Sequence, residues 1–65
     1  DKSKDALAVL QSALIIDPSN PSLHLGLGDY YLKAGDKGRA KEEYEQTLFL
    51  DANNDYAKRM LNTLR

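Results

Sequence analysis

The chain has 65 residues and a formal net charge of -1. This length suits one small domain, which buries only about 60% of the surface of its unfolded chain. Because 9 basic and 10 acidic residues nearly balance, we expect no basic face of the kind that binds nucleic acid through its phosphates. No apolar run approaches the roughly 20 residues of a membrane-spanning helix, so membrane insertion is not expected.

The absence of cysteine excludes disulfides and thiolate metal sites. It leaves the cellular compartment open, because both reducing and oxidising compartments tolerate cysteine-free chains. The sequence opens on Asp1 rather than on methionine, which is compatible with the removal of a leader sequence. The localisation therefore stays undetermined, with the cytoplasm slightly favoured.

Apolar residues recur at helical spacing in the first part of the chain. The spacing predicts a helix from about Ser3 to Ile16. Asp17 and Pro18 end it, because the residue before a proline avoids the helical conformation. The buried stripe of this helix is predicted to contain Ala6, Val9, Leu10, Ala13 and Leu14.

A second helix is predicted to start at Asn20 and Pro21, since asparagine caps a helix and proline suits its first position. Gly35 ends it, because glycine most easily adopts the left-handed conformation that closes helices. Its apolar positions are Leu23, Leu27, Tyr30, Tyr31 and Ala34.

Two further helices follow, with short links that force antiparallel neighbours. Asp36 is expected to cap the third helix and Asn54 the fourth. The third helix should bury one stripe and expose Lys41, Glu42, Glu45 and Gln46. The predicted inner residues are Ala40, Tyr44, Thr47 and Leu48 in the third helix, and Ala57, Met60, Leu61 and Leu64 in the fourth.

The two halves of the chain are related by a shift of 34 residues, which is the period of the tetratricopeptide repeat. This shift aligns Ala6 with Ala40, Leu14 with Leu48, Asp17 with Asp51, Asn20 with Asn54, and Leu27 with Leu61. The family pattern itself is carried by Leu27-Gly28, Tyr31, Gly35-Asp36, Ala40, Tyr44, Leu48 and Asp51. The chain thus resembles the tetratricopeptide repeat, a helix-turn-helix unit whose copies stack into a solenoid.

The resemblance implies an all-α fold of antiparallel helix-turn-helix repeats, in a right-handed α-solenoid fragment of about four helices. In this register residues 1–20 form the second helix of a partial repeat, and residues 21–54 form one complete repeat. Residues 55–65 would be the first helix of a third repeat, or a helix that caps the stack. Part of the first helix, around Ala6, Leu7 and Leu10, would then lie open and allow a homo-oligomer to form.

Small residues mark the place where the paired helices of the complete repeat should cross. A glycine inside a helix lowers the stability of the helix by about 1 kcal/mol relative to alanine, so its presence there needs an explanation in how the helices pack. Close helix approach at Gly28 and Ala40 is that explanation. The family pattern gives no corresponding reason for Gly26.

No residue pattern predicts catalysis, a metal site or a cofactor. His24 is the single histidine, and no cysteine or second histidine accompanies it, so a structural role near the helix crossing is expected. In the family pattern a large aromatic residue stands at this position. The segment from Gly26 to Gly28 does not form a phosphate loop, because it lies inside a helix that no strand precedes.

The resemblance implies a non-catalytic interaction module, a scaffold that binds a peptide or protein segment in a concave groove. In the family, the first helix of each repeat lines this groove. Periodicity independently places positions 22, 25, 29 and 32 on one helical stripe. The predicted groove residues are Ser22, Leu25, Asp29, Leu32, Lys33, Tyr56 and Arg59.

Leu25 and Leu32 on either side of Asp29 favour an apolar segment that carries a basic or hydrogen-bond-donating group. Packing of both leucines against an adjacent helix is an equally weighted alternative. Some family members bind the C-terminal carboxylate of a partner through basic groove residues. The matching surface here offers Leu25, Gly26 and Asp29, so no such carboxylate clamp is predicted.

A structural role is the competing interpretation. The chain would then be a short repeat array appended to a larger multidomain enzyme or envelope protein, where it packs on its host or self-associates. The closing run from Asn54 to Leu61 loosely resembles repeats at the C-termini of bacterial multidomain proteins. Ile15 and Phe49 share one repeat position, where they either contact a partner or tuck under the following loop.

Overall fold

A computed structural model describes residues 2–64, with side chains from residue 4 onwards. This part of the chain contains four α-helices and no β-strand: α1 (Lys2–Ile16), α2 (Pro21–Lys33), α3 (Lys37–Leu50) and α4 (Asp55–Leu64). The predicted all-α fold and its four helices are confirmed. Asp1 and Arg65, the ends of the predicted ranges, lie outside the described residues. Among the four helices, none is both long and apolar enough to cross a membrane.

Asparagine side chains begin two of the helices, as predicted. Asn20 Oδ1 accepts a hydrogen bond from the backbone N–H of Ser22 at 2.9 Å. Asn54 Oδ1 accepts one from the backbone N–H of Ala57 at 3.0 Å. Both bonds satisfy first-turn donors that have no partner within their own helix.

The connection between α2 and α3 is a tight turn. Gly35 adopts a φ of 88°, in the left-handed region that a side chain disfavours. Asp36 then caps α3, since its Oδ1 accepts a hydrogen bond from the backbone N–H of Arg39 at 3.0 Å. The turn lets α3 run back along α2. Ala34, predicted to be part of the apolar stripe of α2, is instead exposed, because it lies at the C-terminal cap of the helix.

The core lies between α2, α3 and α4, and α3 supplies most of it. Ala40, Tyr44 and Thr47 of α3 are fully buried, as is Ala57 of α4. The Thr47 hydroxyl donates to the backbone carbonyl of Glu43 at 2.9 Å, which satisfies this polar group inside the core. The predicted apolar stripe of α3 is therefore confirmed, with Leu48 half-buried at its end.

Two glycines of α2 allow neighbouring helices to come close. A Cβ atom at Gly28 would lie 2.6 Å from Cε1 of Tyr44, which confirms close approach of α3 at this position. A Cβ atom at Gly26 would lie 3.0 Å from Cδ2 of Leu10 on α1. Gly26 thus has a packing role that the family pattern does not supply.

The predicted buried stripe of α1 is only partly correct. Ala6 and Val9 are exposed, and 67% of Val9 is accessible to solvent. Leu10, Ala13 and Leu14 are half-buried. The difference arises because α1 packs mainly against α2, so that only one side of the helix is covered.

Large apolar residues also lie open at the C-terminal ends of α1 and α3. Ile15 is 83% exposed, Phe49 is 82% exposed, and Ile16 is similarly open. The interpretation that Ile15 and Phe49 tuck under the loops after them is wrong. Both side chains instead remain available for contact with another molecule.

Candidate functional site

The predicted groove residues lie on α2 and α4. Leu25 and Leu32 are half-buried on α2, and Asp29 lies between them in the helix and is exposed. Tyr56 of α4 is 39% exposed. The other three predicted residues are also exposed: Ser22, Lys33 and Arg59.

Asp29 links three helices through one carboxylate oxygen. The hydroxyl of Tyr56, on α4, donates to Asp29 Oδ1 at 2.9 Å. The hydroxyl of Tyr44, on α3, donates to the same oxygen at 2.5 Å. Hydrogen bonds to a charged acceptor are stronger than those between neutral groups, so this pair fixes the Asp29 carboxylate on the surface of the bundle.

The two tyrosine rings also contact each other. Tyr44 and Tyr56 are arranged edge to face, with ring centroids 6.5 Å apart and an interplanar angle of 71°. Such pairs contribute about 0.5–1.5 kcal/mol beyond the burial of their surface. Tyr44 is fully buried, so its ring supports the partly exposed ring of Tyr56 from the core side.

The Asp29 contact changes the acidity of both phenols. Burial raises the pKa of Tyr44 above its ordinary value of 10, and the hydrogen bond to Asp29 raises it further. The pKa of Tyr56 is raised chiefly by its hydrogen bond to Asp29 and then by partial burial, while the charge of Arg59 opposes the shift. Both hydroxyls therefore remain donors at neutral pH.

The structure brings together only some of the predicted groove residues. Asp29 and Tyr56 are hydrogen-bonded, and Arg59 acts on Tyr56 through its charge. Within residues 4–64, no side-chain hydrogen bond joins Ser22 or Lys33 to the other predicted groove residues. These two residues are exposed but take no part in the hydrogen-bonded cluster around Asp29.

Tyr44 is a member of the Asp29 cluster that the sequence did not predict. It was predicted as a core residue, which is correct for its ring, but its hydroxyl belongs to the Asp29 cluster. The available signal was the residue type, because a buried tyrosine usually finds a hydrogen-bond partner for its hydroxyl. The identity of that partner, 15 residues earlier in the chain, depends on how the helices pack.

His24 has the structural role predicted for it. Its Nε2 lies 2.8 Å from the backbone carbonyl oxygen of Pro18, and its Nδ1 lies 2.9 Å from Glu43 Oε1. Only 14% of the side chain is exposed. Among the described residues, no cluster of three or more potential ligands forms a candidate metal site.

Comparison with known proteins supports the repeat pattern. The family model described as tetratricopeptide repeat matches residues 2–64. Members of this family generally act as protein-interaction modules. No curated protein matches the chain, and no solved structure does so either. Because the family match spans nearly all of its length, the chain belongs to the tetratricopeptide repeat family.

Proposed function

We propose that the chain is a non-catalytic interaction module that binds a protein or peptide segment on the surface between α2 and α4. We call this surface the α2–α4 groove. The observation that carries the proposal is the fixed Asp29 carboxylate, which accepts hydrogen bonds from the hydroxyls of Tyr44 and Tyr56. The groove comprises Ser22, Leu25, Asp29, Leu32, Lys33, Tyr56 and Arg59.

The arrangement along α2 supports a defined type of ligand. Leu25 precedes Asp29 by four residues and Leu32 follows it by three, so the three side chains share one helix face. The half-buried leucines offer apolar contact on both sides of a negative charge. The expected ligand is an apolar segment with one basic or hydrogen-bond-donating side chain, while Lys33 and Arg59 disfavour a run of several basic residues.

A peptide pair of matched composition tests this proposal. The probe is an acetylated and amidated peptide in which one lysine is flanked by leucines, and the control has glutamate in place of the lysine. Titration is followed through the backbone amide signals of the chain. We expect saturable shifts near Asp29 and Tyr56 with the lysine peptide and much weaker shifts with the control. Equal shifts with both peptides, or none with either, would contradict the proposed ligand class.

Substitution of the two leucines separates the groove from the core. Leu25→Ser combined with Leu32→Ser should abolish peptide binding while circular dichroism still reports the helical content of the original chain. Unfolding of this variant would assign both leucines to the core instead. Asp29→Asn is the matched control for charge, since it keeps the size and a hydrogen-bond acceptor but removes the negative charge.

Self-association through α1 is a second candidate function. We place residues 1–20 as the second helix of a partial repeat, so that Ala6 and Leu10 correspond to Ala40 and Tyr44 in the complete repeat. Ala40 and Tyr44 are fully buried, whereas Ala6 is exposed and Leu10 is only half-buried. An apolar helix face without a cover favours association with another copy or with a host domain.

Light scattering over a wide concentration range tests this second candidate. A dimer that Val9→Lys converts to a monomer would support association through the open face of α1. Val9 is suited to this test because it is largely exposed, so the lysine does not disturb the contact with α2. A monomer at all concentrations would rule out self-association and leave the α2–α4 groove as the proposed functional surface.

A further inference from the structure

His24 contacts two acceptors that belong to different parts of the bundle. One is the backbone carbonyl of Pro18, in the turn between α1 and α2. The other is the carboxylate of Glu43, on α3. The side chain therefore ties the α1–α2 turn to α3, and its ring is mostly enclosed.

A neutral imidazole cannot donate a hydrogen bond to both of these acceptors. A carbonyl oxygen and a carboxylate oxygen both accept hydrogen bonds, so each ring nitrogen must carry a hydrogen to bond its partner. A neutral imidazole has only one N–H, while the imidazolium ion has two. Both contacts are thus satisfied together when the ring is doubly protonated and positively charged.

The charged surroundings favour this protonated form. Glu43, on α3, faces the ring at hydrogen-bond distance. In the turn, the Asp17 carboxylate accepts a hydrogen bond from the Asn20 side chain at 3.1 Å. The described charged side chains of α1 are Lys4 and Asp5, which lie at the far end of that helix from the turn. Glu43 is therefore the dominant charge acting on His24.

We propose that His24 is a pH-sensitive clamp, which holds the α1–α2 turn against α3 when protonated and releases one of its two contacts when it loses a proton. The helix that depends on this clamp is α1. None of its side chains from residue 4 to residue 16 is buried, so apolar packing holds it only weakly. Release of the clamp lets α1 detach more easily from the rest of the bundle.

The direction of the pH effect follows from the shift in the pKa of His24. Partial burial lowers the pKa, but the hydrogen bonds to Glu43 and Pro18 and the charge of Glu43 raise it, so the pKa lies above its ordinary value of 6.5. A group whose pKa is higher in the folded state stabilises that state most at low pH. The stabilisation is complete below pH 6.5 and is lost as the pH rises through the folded-state pKa.

Nuclear magnetic resonance of the imidazole tests the clamp directly, because His24 is the only histidine in the chain. We expect its ring signals to titrate with a midpoint above 6.5 and both ring nitrogens to be protonated below that midpoint. Glu43→Gln should lower the midpoint, since the glutamine amide can donate to a neutral Nδ1. A midpoint at or below 6.5 in the original chain would overturn the proposal.

Hydrogen exchange tests the consequence for α1. Between pH 6 and 9 the protection factors of α1 amides should fall relative to those of α3, by at most about tenfold for each pH unit by which the pKa is raised, because the contact between His24 of α2 and Glu43 of α3 is kept when α1 detaches. His24→Phe keeps a packed ring but cannot titrate, so the α1 protection factors of this variant should not depend on pH. It also controls for the N-terminal amine, which titrates in the same range. The same decline in His24→Phe would show that another group is responsible.

Discussion

Gly28 of α2 lies against the ring of Tyr44 of α3, so closely that a Cβ atom on the glycine would approach Cε1 of the tyrosine to 2.6 Å. Alanine favours a helix over glycine by about 1 kcal/mol, which taken alone would stabilise the chain. At Gly28 the added methyl group requires α2 and α3 to separate or the buried Tyr44 ring to move. We expect Gly28→Ala to lower the free energy of unfolding by about 1–3 kcal/mol, as measured by urea denaturation.

Gly38→Ala is the matched control for this prediction. Gly38 also lies in a helix, but the atom nearest to a Cβ placed there is Asp36 Oδ1 at 3.8 Å, which is an ordinary contact. This substitution should raise the free energy of unfolding by up to about 1 kcal/mol. Equal effects of the two substitutions would mean that helix propensity, rather than contact with Tyr44, determines the outcome.

Gly28 and Gly26 differ in whether the sequence predicts the helix contact that each of them makes. The crossing at Gly28 is predictable, because the repeat pattern pairs a small residue on one helix with Ala40 on the next. The contact of Gly26 with Leu10 joins different repeats of the pattern and depends on how α1 sits on α2. The capping residues were predicted correctly, because a cap is a local feature of two or three neighbouring residues.

Exposure on α1 was less predictable for a related reason. Periodicity shows which side chains share a helix face, but it does not show whether another helix covers that face. Val9 therefore appeared in the predicted stripe although it is largely exposed. The Asp29 cluster could not be predicted for the same reason. Residue spacing does not reveal that hydroxyls on α3 and α4 donate to one oxygen on α2.

Loss of the Tyr56 hydroxyl should weaken the junction between α2 and α4. Tyr56→Phe removes one hydrogen bond to a charged acceptor at a partly exposed position, so we expect the free energy of unfolding to fall by about 1 kcal/mol at pH 7. Tyr44→Phe should cost more, about 2 kcal/mol, because its hydroxyl belongs to a fully buried residue. Urea denaturation measures both. If Tyr56→Phe lowered the free energy of unfolding more than Tyr44→Phe does, the predicted order of the two hydrogen bonds would be wrong.

Alkaline titration provides a separate check on the Asp29 cluster. The raised pKa values of Tyr44 and Tyr56 stabilise the folded state fully below about pH 10, and this stabilisation is lost as the pH rises through the folded-state values. Asp29→Asn removes the charge that favours the neutral phenols. Tyrosinate absorbance should therefore rise at lower pH in this variant than in the original chain. Identical absorbance curves would contradict the role of Asp29.

Phe49 should contribute little to stability although it is the only phenylalanine of the chain. Its side chain is largely exposed, so Phe49→Ser should change the free energy of unfolding by less than about 0.5 kcal/mol. Leu27→Ala is the reference for a buried apolar residue and should cost about 2–5 kcal/mol. Thermal unfolding of both variants at one concentration measures the difference. A comparable loss from Phe49→Ser would show that another part of the protein covers Phe49.

A peptide that ends in two acidic residues and a free carboxylate should not bind the α2–α4 groove. The centre of this groove is the carboxylate of Asp29, and the neighbouring positions on α2 are Leu25 and Gly26, which offer a free carboxylate no side-chain donor. The like charge of Asp29 disfavours a carboxylate at this centre, so we expect the two basic groove residues, Lys33 and Arg59, not to form a carboxylate clamp. The amide spectrum should remain unchanged during titration. Saturable shifts at micromolar peptide concentrations would refute this, and their loss in Arg59→Gln would then identify Arg59 as the carboxylate-binding residue.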